Sequence, residues 1–180
     1  MTDMLLHTER LELRLLTEAD VDWLVSVHAR PDVGRFIPAG PWTEDIADGE
    51  VAKRLSRRGF DTDAGAVSVV ATCDGEPVVD LVSWYTDREH GIADIGWAAD
   101  PEHAGKGYVT EAAAGLLDFL FGQVQMHRVA AKIDPRNTPS MRVAERLGMQ
   151  LEGHLRENDW MHGEWCDTLV YGMLAGDRDA

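Results

Sequence analysis

The sequence predicts an α/β (α+β) domain on a central mixed, mostly antiparallel sheet of about seven strands with about four flanking helices. Three observations carry this reading. The elements run in the order β-α-α-β-β-β-α-β-α-β-β. The apolar period changes to two from Ala66 onward, and a glycine-rich turn opens the next helix. Strict strand-helix-strand alternation, the mark of a doubly wound parallel sheet, is missing. At 180 residues with 44% hydrophobic side chains, the chain fills one core, so a single domain over residues 1–180 is expected.

Glu9 to Leu16 (ERLELRLL) alternates apolar and charged side chains, which suits a half-buried strand. Thr17 to Asp20 (TEAD) looks like a cap for a helix carrying Val21, Leu24, Val25 and His28, which stops near Pro31. A loop from Gly34 to Trp42 leads to a second helix, from near Thr43 to Gly59, with Lys53, Arg54, Arg57 and Arg58 on its charged face. Val67 to Cys73 and Pro77 to Tyr85 form a hairpin around Asp74-Gly75, residues that tolerate the positive φ of such turns. Ile92 to Ala99 is a further strand. After it, Val109, Ala113, Leu116, Leu117 and Leu120 share one helical stripe. Arg128 to Ile133 is a short strand, and Asn137 to Gly148 a helix with Thr138 as its cap, Pro139 first inside it and Gly148 closing it. Gln150 to Met161 and Glu164 to Leu174 make two strands hinged at His162-Gly163.

The chain has 17 basic and 32 acidic residues and a formal net charge of −15. Phosphate backbones are bound by clustered Lys and Arg, so no nucleic-acid partner is expected; the negative field suits a cationic substrate, although acidity also serves solubility. Cys73 and Cys166 lie in apolar stretches without a second Cys or a metal-spaced His nearby, so free, buried thiols and no metal are expected. The beginning MTDMLLHTERLELR lacks a basic region followed by a long apolar run, and no stretch approaches a membrane span. A cytoplasmic protein with no membrane partner is the expectation.

Pro101 to Ala112 (PEHAGKGYVTEA) carries the chemistry. A strand that delivers several backbone N–H groups into a helix N-terminus makes an anion site, because those donors lack intrahelical partners and the dipole favours negative charge. Gly105 and Gly107 let the backbone approach a phosphate closely, and Lys106 and Thr110 add a charge and a hydroxyl. A P-loop would place Lys and then Ser or Thr after the second glycine, whereas Lys106 lies between the glycines and Tyr108 follows. A dinucleotide fingerprint would need a small residue where Thr110 stands, together with successive βαβ units. The first pattern fails, and the second fits poorly.

The segment DPEHAGKGYVTEA resembles the acetyl-CoA signature of the GNAT superfamily of N-acetyltransferases. TERLELRLLTEAD, DIGWAADPE, NTPSMRVAERLGM and LEGHLRENDWMHGEWCDTLVYGML extend the resemblance over nearly the whole chain, to the RimJ/RimL-like branch of ribosomal-protein N-terminal acetyltransferases and relatives. The resemblance implies acetyl-CoA as co-substrate, with Trp97, Ala98 and Ala99 along the pantetheine arm. It sets Ala104, Gly105, Lys106, Gly107, Tyr108, Val109 and Thr110 around the pyrophosphate, and Asn137 and Ser140 near the thioester. It also implies a strand that splays from its neighbour to admit the coenzyme, and a homodimer as a common assembly. Two positions depart from the superfamily pattern. Glu102 stands where Gln or Arg is common, so pyrophosphate binding rests on backbone donors, and Ala144 stands where many members carry an acid Tyr.

Acetyl transfer needs a neutral amine, a polarised thioester carbonyl and a proton for the departing thiolate. Asp94 holds the family's acidic position as base, with Asp80, inside an apolar strand, as its rival; Ser140 is the candidate donor to the thiolate. Trp42, Trp84 and Trp160 are candidate walls of an acceptor pocket, and Glu157 and Asp159 candidate contacts for a cationic amine. The expected function is direct transfer, in a ternary complex, to a primary amine on a protein N-terminus or a small molecule. The missing Tyr keeps a second reading open, a noncatalytic acetyl-CoA-binding or sensing module.

Overall fold

The computed structural model describes residues 5–178. They form one mixed sheet of nine strands with six helices, against about seven and four expected. The additional pieces are short. β1 (Leu5–His7) and β2 (Glu12–Leu15) pair antiparallel where one continuous strand was expected, because Thr8 N–H bonds back to the Leu11 carbonyl and turns the chain at Glu9-Arg10. The 3-10 turn at Glu18–Asp20 precedes α1 (Val21–His28), and the Asp20 carboxylate accepts from the backbone N–H and hydroxyl of Thr17, as the TEAD pattern predicts. The Pro31-to-Trp42 loop contains a single helical turn, α2 (Pro31–Gly34). α3 (Glu44–Leu55) stops four residues before Gly59, and Arg58–Gly59 pairs with β4 as the two-residue strand β3.

β4 (Ala66–Cys73) and β5 (Glu76–Asp87) meet at Asp74-Gly75, with φ of 53° and 86°, the left-handed pair expected of a primed turn. β6 (Ile92–Ala99) continues the antiparallel series; β7 (Arg128–Ile133) then lies parallel to it, and β9 (Glu164–Leu174) and β8 (Gln150–Met161) finish the sheet. α4 (Tyr108–Gly122) crosses from β6 to β7, burying Ala112, Ala113, Leu116, Leu117 and Leu120 against the sheet. Each buried Leu contributes about 1.5–3 kcal/mol. α5 (Thr138–Arg146) packs on the same main core; α6 (Ala175–Arg178) ends the described chain. Asn137, not Thr138, caps α5: its Oδ1 accepts from Ser140 N–H at 3.2 Å, which puts Pro139 second in the helix. A smaller core of Leu16, Leu24, Trp42 and Val70 fills the opposite face beneath α1 and α3. Cys166 is buried as expected, whereas Cys73 is only partly covered. No helix among the described residues is long and apolar enough to cross a membrane.

Candidate active site

The site grows from one interruption in the sheet. β6 pairs with β5 along its whole length, from Ile92 to Ala99, but with β7 only through Ile92, Ala93 and Asp94. Beyond Asp94 the two parallel strands part, while β7 stays paired to β9 as far as Ile133. One edge of β6 from Ile95 to Ala99 is therefore left without a strand partner, and its N–H and C=O groups need other partners. A cleft of about 210 Å³ occupies this gap, lined by Ile95 to Ala98 on one side, Ala131 to Asp134 on the other, and Asn137 and Ser140 from α5.

Beyond β6, Asp100 Oδ1 accepts from Glu102 N–H, and a 3-10 turn at Pro101–His103 leads to the glycine turn. Gly105 and Gly107 have φ of 78° and 80°, which other residues adopt only with strain. Among the described residues, the backbone N–H groups of residues 105–110 have no backbone acceptor. Six consecutive free donors at the N-terminus of a 15-residue helix fit a pyrophosphate. Lys106 is exposed beside them, and exposed Glu102 contributes no hydrogen bond to the loop other than its own backbone N–H. The expected coenzyme residues are thus held in two contiguous groups: Trp97, Ala98, Asn137 and Ser140 line the cleft, and Ala104 to Thr110 form the turn past its end, joined by Ala99.

Ser140 lines the cleft beside Trp97. Its Oγ accepts from the Trp97 indole N–H at 3.2 Å, and its own backbone N–H is taken by Asn137. The serine hydroxyl proton is left to a group in the cleft, with the oxygen fixed by the indole. Ala144 is fully buried in the main core, so no side chain there reaches the cleft.

The candidate bases divide. Asp94 is 5% exposed, and Lys132, which lines the cleft, reaches its Oδ2 at 2.9 Å. Asp94 lies beside the cleft rather than on its lining. Asp80 lines the cleft but is 2% exposed and fully engaged, with one oxygen on Arg54 and the other 2.9 Å from His28 Nε2, which must carry the proton. Burial alone would raise the Asp80 carboxyl; the Arg54 guanidinium and His28 outweigh it and hold the carboxyl below the usual carboxylate range, which makes it a poor base. Arg54 does not belong on a charged outer face as helical spacing implied: it is 7% exposed and also binds Ser68 Oγ and the Leu81 carbonyl. An Arg on an amphipathic helix reads as surface unless its partner is known, and here the partner lies in an apolar strand. Asp134, the second carboxylate lining the cleft, is held by Arg136.

The acceptor candidates scatter. Trp42 is buried in the second core and stacks on His28 with ring centroids 4.4 Å apart, so it supports the cleft wall from behind. Trp84 lies under Arg57, and Trp160 is 57% exposed in an edge-to-face pair with Trp165; none of the three, nor Glu157, lines the cleft. Glu157 instead donates its backbone N–H to Asp167. The wall missed from sequence is Phe36, Ile37 and Pro38, whose Ile37 carbonyl accepts from His162 Nε2 at 3.1 Å, tying the loop to the β8–β9 turn. A Pro-Gly loop carries no periodic signal from which this contact could be read.

Residues 10–150 match the acetyltransferase (GNAT) domain family. The uncharacterized N-acetyltransferase p20 of Bacillus licheniformis is 29% identical over 94% of this chain and 95% of its own length. The spermidine N(1)-acetyltransferase of Escherichia coli is 29% identical over 88% and 83%. Among solved structures, a GNAT-family acetyltransferase from Bacillus anthracis superposes with a TM-score of 0.84 at 30% identity, covering 96% of this chain and 99% of that one. RimL, a ribosomal L7/L12 α-N-protein acetyltransferase in complex with coenzyme A, has the same fold, with a TM-score of 0.82 at 19% identity over 95% and 98%. With the splayed strands and the glycine turn, these matches make the chain a member of the GNAT family and an acetyl-CoA-dependent N-acetyltransferase.

Proposed function

We propose that the acceptor is the α-amine of a peptide or protein N-terminus, acetylated by direct transfer in the cleft. The observation that carries this is that each carboxylate at the cleft is already paired: Asp80 with Arg54 and His28, Asp134 with Arg136, and Asp94 with Lys132. Among the described residues at the cleft, no unpaired carboxylate is left to hold a second cationic group. An α-amine, with a pKa of about 7.7–8.0, is roughly one-fifth neutral or more near pH 7.4, whereas an alkyl amine near 10.4 is about 0.1% neutral. The first therefore arrives partly activated. Asp94, reached through water beside Lys132, takes the ammonium proton. The Ser140 hydroxyl donates to the departing thiolate, held in line by Trp97. Acetyl-CoA supplies the activated acetyl group, and residues 104–110 hold its pyrophosphate.

A polyamine is the second reading, favoured by the net charge of −15 and by the likeness to a spermidine acetyltransferase. Thiol release measured side by side with a ribosomal N-terminal peptide, its acetyl-blocked form, spermidine and an aminoglycoside separates the two. The free peptide is expected to turn over and the blocked one not to, with Ser140→Ala lowering kcat by roughly 10²-fold while the KM for acetyl-CoA stays within threefold. A kcat/KM for spermidine tenfold above that for the peptide would transfer the assignment to the polyamine.

A further inference from the structure

Arg10 lies on the turn between β1 and β2, far in sequence from the glycine loop, yet it holds that loop at two points. Its guanidinium donates to the Lys106 carbonyl at 2.9 Å and, through Nε, to Glu111 Oε2 at 2.7 Å. Its backbone N–H and the Thr8 hydroxyl both donate to the other Glu111 oxygen, at 2.7 and 2.6 Å. The guanidinium also covers the Tyr108 ring, 4.9 Å from its centroid.

Two consequences follow from peptide geometry and electrostatics. In a planar trans peptide the carbonyl of one residue and the N–H of the next point in opposite directions. A Lys106 carbonyl drawn outward to Arg10 therefore turns the Gly107 N–H inward, toward the row of free donors that ends at Thr110. Glu111, meanwhile, is a carboxylate in the first turn of α4, where it competes with any bound anion for the positive end of the helix. Burial would raise its carboxyl, but the bonds from Thr8 and Arg10 outweigh that and lower it, so the acid stays charged and the Arg10 cation compensates it.

We propose that Arg10 is a positioning residue for the pyrophosphate site, acting through the Lys106 carbonyl and Glu111 without touching the phosphate. The inference rests on the assignment of residues 104–110 to the pyrophosphate, and the test separates the two. Affinities for CoA and for S-acetylpantetheine, which lacks every phosphate, are measured by calorimetry on the wild type, Arg10→Ala and Arg10→Lys. The Ala variant is expected to bind CoA roughly tenfold more weakly with S-acetylpantetheine unchanged within twofold, a split that general loss of structure would not produce. The Lys variant restores charge, but one ammonium cannot span both Glu111 and the Lys106 carbonyl; it is expected to stay at least threefold weaker than wild type, roughly half a log unit of affinity. An unchanged preference for CoA in Arg10→Ala, or full recovery in Arg10→Lys, overturns the proposal, and the Lys variant decides alone if the Ala variant does not fold. A wild type that binds both ligands equally refutes the pyrophosphate assignment itself.

Discussion

Replacing Asp80 with Asn tests whether the buried Arg54–Asp80–His28 group is a structural keystone of the cleft wall. Asp80 and Arg54 are 2% and 7% exposed, so the substitution strands a guanidinium whose remaining partners, Ser68 Oγ and the Leu81 carbonyl, are uncharged. Breaking one side of such a pair costs about 3–5 kcal/mol. At about 2–4 °C per kcal/mol for a chain of this size, the melting temperature should fall by roughly 6–20 °C. Replacing both partners by apolar residues, Arg54→Met with Asp80→Leu, leaves no stranded charge and should cost less than Asp80→Asn alone. Chemical denaturation across pH gives a second handle. The Asp80 carboxyl is lowered in the fold, so its stabilisation is fully present above the unfolded value near 3.9 and is lost as pH falls through the lower folded value. The stability gap between wild type and Asp80→Asn should stay constant from pH 8 to about pH 5 and narrow below about pH 4. A single-variant loss under about 1 kcal/mol, or a double variant as damaged as the sum of its parts, would refute the reasoning.

Two further outcomes are expected. Asp94→Asn removes the carboxylate that Lys132 holds beside the cleft, so kcat should fall by roughly 10²-fold with acetyl-CoA affinity unchanged; an unchanged kcat removes Asp94 as the base. Gly34→Ala places a Cβ 2.4 Å from Pro41 N and Cα, backbone that cannot swing away; a cost of about 1–3 kcal/mol and a raised acceptor KM are expected, with acetyl-CoA binding unchanged, because the displaced segment carries Phe36 to Pro38.

The parts of this molecule legible in its sequence are those in which function and local conformation make the same demand. Gly105 and Gly107 were readable because a tight turn with positive φ into a helix favours residues without a Cβ, and the α4 stripe because one helix face must meet the sheet. The Asp74-Gly75 and His162-Gly163 turns were readable for the same local reason. The acceptor side was not, because its order comes from contacts between segments distant in the chain: Arg54 with Asp80, His28 stacked on Trp42, and His162 on the Ile37 carbonyl.

Each of those misreadings had the same physical origin. Arg54 sits on a helix whose spacing places charge outward, and only the acid buried opposite it on β5 reverses that preference. Trp42 is a candidate pocket wall by residue type alone; in the fold its ring is claimed by His28, whose own orientation is set by Asp80. Asp80 was the signal that could have found both. A carboxylate inside an otherwise apolar strand must have cationic or hydrogen-bonding partners, since burial without them costs far more than any gain from packing. The basic and polar residues within reach of β5, Arg54 on α3 and His28 on α1, were the candidates to supply them. The acid in a core strand thus points to one wall of the cleft much as the glycine turn points to a helix N-terminus with free donors, with the difference that its partners must be sought across the fold.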